Sequence, residues 1–552
     1  MTGTKNHPSG LMEAQGNDAP PRGSFAGRLK AYGLLALLLA IPLGITFICG
    51  FYWYMYVCEL PAGTTVVDRF GIPWRSRLGD YCYSSGLPLK YPWLKPYLGY
   101  RHFIIPEGAV EIGEQSFGNG DIRGELRSVR IPGSMKKIDR YAFAWCEKLM
   151  GIDIPDSVEE IGYSAFRECR ALREIAIPGS VKMIDGGMFE YCTDLRKVVL
   201  RDGVKVIGNG AFRNCTALRT VVIPDSVESI MLAAFQNCAS LEEIRLPAGM
   251  VRQPTEEEKE RLASDPSGAG PTGPVPIVCP LAFARCIALK KVTLPDGITI
   301  IGANAFQDCA SLSEFNLPDS VKEIDSEAFL GCHNLPPLTI PKGLRIVLGG
   351  AFTGTGCRLT VPDDHPTLRF EDGILYGKDE GRPWSVISCV TAPQGPCVID
   401  PDTTHIKRLA FFGCGDLTDL RLPDGLNRIQ ERAFAGCTGL KEIVLPDSLK
   451  EVGREAFAGC TGLKSVTIPG SLSTIPYGMF RGCSQLEEVV IPEGVVFIED
   501  EAFKGCISLR RVTFPDSLGN LGPKTFSGCK SLDQETRDRL EYLTGTPGYG
   551  LE

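Results

Sequence analysis

A repeat of 23 residues runs through most of this chain and constrains its fold more than any other feature. Three consecutive blocks show it: LREIAIPGSVKMIDGGMFEYCTD (residues 172–194), LRKVVLRDGVKVIGNGAFRNCTA (195–217) and LRTVVIPDSVESIMLAAFQNCAS (218–240). A unit of this size cannot bury its own apolar face, so neighbouring units must stack and share one core. The repeat therefore predicts a solenoid rather than a series of independent globular domains.

A phenylalanine marks the same place in each repeat, and sixteen such marker residues can be counted. They are Phe117, Phe143, Phe166, Phe189, Phe212, Phe235, Phe283, Phe306, Phe329, Phe352, Phe411, Phe434, Phe457, Phe480, Phe503 and Phe526. The spacing widens twice, to 48 residues between Phe235 and Phe283 and to 59 between Phe352 and Phe411. We therefore expect about sixteen coils and two insertions, residues 251–276 and 363–400.

Each repeat carries the pattern of a short strand followed by a turn. In Leu172 to Pro178 the apolar residues alternate, as they do in a strand with one buried face. Proline then ends the strand, and a following Gly-Ser or Asp-Ser pair favours a turn. Aspartate recurs in this turn at one residue per coil, which is too few oxygen ligands for calcium. The pattern thus predicts one short strand per coil and no metal site.

The motif resembles that of the BspA-type leucine-rich repeat proteins. Residues 440–460, LKEIVLPDSLKEVGREAFAGC, match the family pattern closely, and the likeness extends from about residue 104 to 533. The segment Phe370–Asp379 looks like the hairpin that interrupts such arrays. Taken with the repeat spacing, the resemblance implies an α/β repeat solenoid, a leucine-rich-repeat array of about sixteen 23-residue coils with short parallel strands, and the residues before the array predict one transmembrane helix. It also implies a surface-displayed binding or adhesion protein, although a fold does not fix a function.

The transmembrane helix is predicted from an uncharged stretch between Lys30 and Glu59. Its 28 residues are more than a helix needs to cross the hydrocarbon layer. Arg28 and Lys30 precede it and aromatic residues occupy its far end, which favours an N-terminus inside the cell. A cleaved signal peptide is the alternative, but the aromatic block is a poor cleavage region. We expect an uncleaved single-pass anchor, with the repeats outside the cell.

The other segments are assigned from composition. Residues 1–30 are polar and rich in Gly and Pro, which predicts a disordered cytoplasmic tail, and residues 31–58 form the anchor. Residues 59–104 are aromatic-rich and fit a juxtamembrane segment or N-terminal cap. The solenoid is assigned to residues 105–533, and residues 534–552 to a C-terminal capping helix and tail. In the first insertion, Thr255-Glu256-Glu257-Glu258 predicts a short acidic helix that ends near Ser264.

Fourteen of the 21 cysteines occupy one repeat position, three residues after the marker phenylalanine. They are Cys146, Cys169, Cys192, Cys215, Cys238, Cys286, Cys309, Cys332, Cys414, Cys437, Cys460, Cys483, Cys506 and Cys529. We interpret them as a structural ladder of buried free thiols rather than as a reactive or metal-binding column, because cysteine packs as a small apolar group. Outside the ladder, disulfides Cys58–Cys82 and Cys389–Cys397 would each close a short loop.

The net charge and the small number of histidines exclude several functional classes. The net charge of −8 excludes a basic nucleic-acid binder, and five histidines leave little room for a metal centre or an acid–base relay. We expect no cofactor and no catalysis. An enzyme would have to use the second insertion and its surroundings, with Asp363, Asp364, His365 and His405, and these four are more readily explained as loop residues.

The candidate binding site lies near the start of the array, where aromatic residues cluster in successive coils. These are Tyr141, Trp145, Tyr163 and Tyr191, and aromatic side chains anchor many protein interfaces. The leading hypothesis is a membrane-anchored, surface-displayed protein that binds other proteins, cell surfaces or matrix ligands without catalysis. The alternative hypothesis is a structural or scaffolding protein of the cell's own envelope.

Overall fold

The structure is a computed structural model of the chain. It describes residues 57–59, 66–67, 102–105, 107–118, 123–251, 276–378, 382–393 and 395–545. Two short strands precede the array, β1 (Val57–Glu59) and β2 (Val66–Val67), and β2 pairs in parallel with β4 (Glu111–Ile112). The repeats belong to the unit formed by residues 59–552.

Each coil of the array contributes one strand to a first row, in the segment before the proline turn. These strands are β3 (His102–Ile104), β5 (Ser128–Arg130), β7 (Gly151–Ile152), β9 (Glu174–Ile177), β11 (Lys197–Leu200), β13 (Thr220–Val222), β15 (Glu243–Arg245), β17 (Lys291–Thr293), β19 (Glu314–Phe315), β21 (Leu338–Thr339), β23 (Leu359–Thr360), β27 (Cys397–Val398), β29 (Leu420–Arg421), β31 (Glu442–Val444), β33 (Ser465–Thr467), β35 (Glu488–Val490) and β37 (Arg511–Thr513). The pairing is parallel and keeps the repeat register, so Val198 lies opposite Ile175 on one side and Val221 on the other.

A second row of shorter strands precedes the marker phenylalanines. Its members besides β4 are β6 (Lys137–Ile138), β8 (Glu160–Ile161), β10 (Met183–Ile184), β12 (Val206–Ile207), β14 (Ser229–Ile230), β16 (Ile277–Val278), β18 (Ile300–Ile301), β20 (Glu323–Ile324), β22 (Ile346–Val347), β28 (Thr403–Ile406), β30 (Arg428–Ile429), β32 (Glu451–Val452), β34 (Thr474–Ile475), β36 (Phe497–Ile498) and β38 (Asn520–Leu521). The sequence predicts only one strand per coil, because strands of two residues are too short to show an alternating pattern.

The core between the rows is built from columns of identical side chains. The marker phenylalanines stack with ring centroids 4.8–5.6 Å apart and interplanar angles of 1–17°. The rings form one run from Phe117 to Phe352 and a second from Phe411 to Phe526. Parallel rings at this separation gain dispersion energy in addition to the apolar surface they bury. Each coil is therefore stabilised mainly by its two neighbours.

In several coils a serine of the proline turn binds the coil to the one before it. The Ser226 hydroxyl accepts a hydrogen bond from Gly203 N and donates one to Val204 O, both at 2.9 Å. Ser320 repeats this arrangement with Gly297 N and Ile298 O, at 2.9 and 2.8 Å. The Asp-Ser turn thus satisfies backbone groups of two coils, a role beyond the local turn formation expected from the sequence.

The second widened spacing contains a seventeenth coil that carries no marker phenylalanine. Its first-row strand is β23, and an antiparallel hairpin follows, β24 (Leu368–Glu371) with β25 (Ile374–Gly377). Strand β26 (Trp384–Cys389) pairs antiparallel with β25 and parallel with β28, so it takes the second-row place. The hairpin implied by the family resemblance is present, and its Asp372-Gly373 turn has φ of 47° and 80°, as a two-residue type I′ turn requires.

The array is a parallel β-solenoid, so the α/β assignment was wrong for the residues that the structure describes. Besides strands and turns they contain a 3₁₀ turn (Ala248–Val251) and one α-helix of defined bounds, α1 (Gln534–Thr544). Two strands and two tight turns already use the 23 residues of a coil, which leaves no room for a helix. The count of sixteen coils was also one too low, because the unmarked coil has no phenylalanine to reveal it.

Helix α1 covers the last coil. Asp533 caps its first turn by accepting a hydrogen bond from Thr536 N, and Gly545 ends it with a φ of 64°. Val512 N of β37 donates to the Thr536 hydroxyl at 3.2 Å, and Leu540 is buried. A strand edge that would otherwise be open to pairing with another chain is thereby occupied.

Several sequence-based predictions fall on residues outside those described. They include the tail (residues 1–30), nearly all of the anchor (31–58), most of the juxtamembrane segment (59–104) and the acidic helix of the first insertion. Within the described ranges, no helix combines the length and apolar character needed to cross a membrane.

Candidate interaction surface on the closing turns

The turn that closes each coil holds its backbone in an unusual conformation on both sides of the marker phenylalanine. Around Phe189, Gly187 has a φ of 59° and Tyr191 a φ of 62°. The ring of Phe189 points into the core, while its backbone N donates to Ala211 O of the next coil at 2.8 Å. The residue two positions after the phenylalanine therefore lies on the surface in the left-handed region.

Among the coils with a marker phenylalanine, this position has positive φ in all fifteen in which the structure describes it, and we call the series the closing-turn ridge. Its members are Trp145, Glu168, Tyr191, Asn214, Asn237, Arg285, Asp308, Gly331, Gly354, Gly413, Gly436, Gly459, Gly482, Gly505 and Gly528. The ridge has two halves: seven coils carry side chains, which we call the decorated ridge, and the next eight carry glycine. A side chain here costs roughly 1 kcal/mol relative to glycine, and less for Asn or Asp.

Three of the four predicted site residues are in direct contact at the start of the decorated ridge. The rings of Tyr141 and Trp145 stack at a centroid distance of 5.9 Å and an angle of 6°. The ring of Tyr163 meets Tyr141 edge to face, 5.6 Å away at 80°. The repeat spacing accounts for this contact, because Tyr141 and Trp145 flank one marker phenylalanine and Tyr163 lies in the next coil.

The fourth predicted residue, Tyr191, lies further along the ridge and reaches the others through charged side chains. The Arg167 guanidinium lies 5.7 Å from the centroid of its ring, a cation–π contact. Trp145 Nε1 donates to the Glu168 carboxylate at 3.3 Å, in the coil between Trp145 and Tyr191. Tyr163 and Tyr191 remain 45% and 39% exposed, so both can still contact a partner. We call Tyr141, Trp145, Tyr163 and Tyr191 the aromatic patch.

A buried carboxylate that was not among the predicted site residues supports the patch. Glu190, next to Tyr191, is 2% exposed and is held between two arginines, one from each adjacent coil. Arg167 Nη1 donates to it at 2.6 Å, and Arg213 donates to its other oxygen through Nε at 2.7 Å and through Nη2. The sequence does indicate this group, because the residues directly after three successive marker phenylalanines are Arg167, Glu190 and Arg213, at 23-residue spacing.

The fourteen ladder cysteines lie inside the solenoid, and all are buried free thiols. Thirteen donate a hydrogen bond to the marker phenylalanine carbonyl of the preceding coil, at 3.0–3.3 Å. The fourteenth, Cys414, follows the coil that lacks this phenylalanine. Burial raises the pKa of Cys286 to about 12 and the pKa of Cys146 still further, which suppresses the thiolate.

We expect a maleimide to leave the ladder thiols unmodified in the native protein and to label all of them after unfolding in urea. Only the thiolate reacts, and all of these thiols are buried away from the reagent. Mass spectrometry of digested peptides measures the labelling residue by residue. Cys279, which is half-buried, is the internal control and should react first. Rapid native labelling of most ladder positions would contradict a packing role.

Of the two predicted disulfides, the structure describes both cysteines of only one. Cys389 and Cys397 are both buried and free, so the bridge predicted between them is not formed in the structure. Cys389 belongs to the unmarked coil, where its backbone N donates to Ala410 O at 2.6 Å, the bond that marker phenylalanines make elsewhere. It is therefore held by the stacking of coils rather than by a loop. The predicted partner of Cys58, Cys82, lies outside the described residues.

Three of the four residues named for a possible enzyme, Asp364, His365 and His405, have hydrogen-bond partners within the protein. His365 Nδ1 accepts from Thr367 N and Leu368 N at 3.3 and 3.1 Å, and His365 Nε2 lies 3.3 Å from Pro341 O. Burial lowers the pKa of this imidazole, in keeping with a neutral ring that fixes the start of β24. Among the described residues, no group of three or more His, Cys, Asp or Glu side chains is arranged to hold a metal ion.

Comparison with known families gives one match that covers most of the array. The family model described as the BspA type leucine rich repeat region, in six copies, matches residues 110–242, 274–364 and 404–533. Together these segments make up more than half of the chain. A search of curated protein sequences found no match.

Several solved bacterial structures are similar to this chain. A leucine-rich cell surface protein from Faecalibacterium prausnitzii is 23% identical over 81% of this chain and 91% of its own, with a TM-score of 0.44. A leucine-rich repeat protein from Bacteroides ovatus is 25% identical, with coverages of 74% and 91% and a TM-score of 0.35. A leucine-rich repeat protein of T. pallidum is 26% identical, with coverages of 42% and 80% and a TM-score of 0.27.

Proposed function

Because the chain belongs to the BspA-type leucine-rich repeat family, we propose that it is a membrane-anchored protein that displays its solenoid on the cell surface and binds proteins or other cells. The uncharged segment of residues 31–58 supports the anchor, and the basic residues before it support an N-terminus inside. The function is binding and not catalysis.

The aromatic patch carries this proposal. Its rings lie on one surface in successive coils, and two of them keep more than a third of their area exposed. Two ridge members of the patch, Trp145 and Tyr191, occupy left-handed positions where eight other coils have glycine. Strained residues with large side chains tend to be retained where they serve binding. Aromatic anchors held in fixed orientations also lose little conformational entropy when a partner binds.

The proposal is tested by comparing matched tyrosine variants of the full chain. We expect Tyr163→Ala combined with Tyr191→Gly to weaken binding to immobilised matrix proteins or whole cells by about tenfold or more, because both rings are central to the patch. Tyr477→Ala is the control, since Tyr477 occupies the repeat position of Tyr163 in a distant coil. Flow cytometry or surface plasmon resonance measures the binding.

Unfolding of each variant should be followed in parallel, so that lost binding is separated from lost structure. Equal binding by the double variant and by the Tyr477→Ala control would exclude the aromatic patch as the site. A wild-type chain that binds none of these surfaces would contradict the proposed function itself.

A further inference from the structure

The decorated ridge continues beyond the aromatic patch with groups that form hydrogen bonds. Asn237 Nδ2 donates to Asn214 Oδ1 at 2.9 Å, so two amides of successive coils lie in line along the ridge. In the next two coils, Arg285 Nε lies 3.8 Å from Asp308 Oδ2. Rings, amides and one ion pair thus follow one another at the spacing of the coils, which is about 4.8 Å for stacked strands.

The fold itself does not require these side chains. The glycine half of the ridge has the same backbone conformation, with φ of 70–78° from Gly413 to Gly528. A Cβ atom on Gly436 would meet Gly413 at 3.5 Å, an ordinary contact, so crowding does not impose glycine there. Glycine is simply the residue that this conformation favours. Seven successive coils with other residues therefore indicate a use for the side chains outside the packing of the array.

The charged members of the decorated ridge already have partners within the protein. Glu168 accepts hydrogen bonds from Arg170 at 2.9 Å and from Trp145, and Arg285 is paired with Asp308. Arg285 and Asp308 stay 68% and 47% exposed at the far end of the decorated ridge. In the five coils from Trp145 to Asn237 the one charged member, Glu168, is 19% exposed, so the groups that face a ligand there are mainly neutral rings and amides. A ligand that matches them has apolar faces for stacking and many hydroxyl or amide groups, and carries little net charge.

The backbone N–H groups of the ridge are not free to pair with an extended peptide. Tyr191 N donates to Arg213 O at 2.9 Å, Asn214 N to Gln236 O at 2.9 Å and Asn237 N to Ala284 O at 2.7 Å. Extended peptides are captured largely by free backbone groups at a sheet edge, and these amides are already used by the neighbouring coil. Recognition at the ridge therefore relies mainly on side chains.

We propose that the decorated ridge binds a neutral polysaccharide chain lying along the direction in which the coils stack. Sugar rings present C–H faces that stack on Trp145 and Tyr191, and their hydroxyls pair with the amides of Asn214 and Asn237. A polymer of similar rings matches a ridge whose side chains recur once per coil. This inference rests on the proposed function and names its partner class.

The test uses the full chain, carrying a C-terminal tag, and the double variant Asn214→Gly/Asn237→Gly. Glycine accepts the left-handed conformation, so we expect the melting temperature to stay the same or to rise. We expect binding to whole cells to weaken by about tenfold or more, since two hydrogen-bonding side chains are lost. The matched control is Gly436→Asn/Gly459→Asn, which adds the same amides to the glycine half and should leave binding unchanged.

The cells used as the probe are treated beforehand with either periodate, which cleaves sugar diols, or protease. The polysaccharide partner is supported if periodate treatment abolishes binding, protease treatment leaves it intact, and the asparagine variant binds more weakly. The inference is overturned, while the proposed function stands, if protease abolishes binding and periodate leaves it intact. Unchanged binding by the asparagine variant has the same meaning. Absence of binding by the wild-type chain overturns both.

Discussion

Phe212→Ala should lower the free energy of unfolding by about 3–5 kcal/mol, the range found when a fully buried phenylalanine is truncated in a packed core. Phe212 is 0% exposed. Its ring stacks between Phe189 and Phe235, at centroid distances of 5.3 and 5.2 Å. The variant leaves a cavity that interrupts the column, and neither neighbouring coil can close it without losing its own strand register.

The matched control for this experiment is Phe412→Ala. Phe412 follows a marker phenylalanine directly, yet it is 38% exposed and does not belong to the stack. Its truncation should cost about 1 kcal/mol or less, since much of the ring already contacts water. Urea unfolding followed by circular dichroism measures both variants. Equal losses at the two positions would show that the stacked column is not what stabilises the array.

Glu190→Gln should have the second largest effect, a loss of about 2–3 kcal/mol in the free energy of unfolding. The change removes the negative charge that two arginines share at a buried site, and an uncompensated buried charge is costly. The loss stays below that of a fully buried triad because the side chains of Arg167 and Arg213 are 28% and 43% exposed. Tyr191 lies beside this group, so its ring should also become more mobile.

Glu159→Gln provides the comparison at the surface. Glu159 also pairs with a basic residue one coil away, Lys136, at 2.7 Å, but its side chain is 65% exposed. Its loss should cost about 0.5 kcal/mol or less and should vanish in high salt. Chemical unfolding at low and high ionic strength separates the two cases. A Glu190 variant as mild and as salt-sensitive as the Glu159 variant would contradict the role assigned to the buried carboxylate.

The repeat architecture could be predicted from the sequence because every coil repeats the same pattern of apolar, turn and phenylalanine positions. The spacing of phenylalanines set the length of a coil, and the alternation before each proline identified the first-row strands. The second row escaped notice because strands such as Met183–Ile184 are too short for any periodicity. The helical component of the α/β assignment came with the family resemblance rather than from the residues, and the described coils have no space for it.

The candidate site was predictable where it depended on neighbouring coils and unpredictable where it depended on backbone conformation. Tyr141 and Tyr163 were placed together correctly by counting residues along the repeat. Their orientation depends on left-handed turns, for which the sequence does hold a signal: glycine at Gly331 and at every later ridge position described, with asparagine at Asn214 and Asn237. Columns of Gly and Asn are typical of positive φ.

The most direct test of the account is the side of the membrane on which the solenoid lies. Protease is added to intact cells that carry the full chain with a C-terminal tag, and permeabilised cells and a cytoplasmic marker protein serve as controls. The account predicts that the tag is lost from intact cells while the cytoplasmic marker survives. A tag that is protected in intact cells and lost only after permeabilisation would place the repeats inside the cell, contradict a surface-displayed binding protein and favour an internal scaffold.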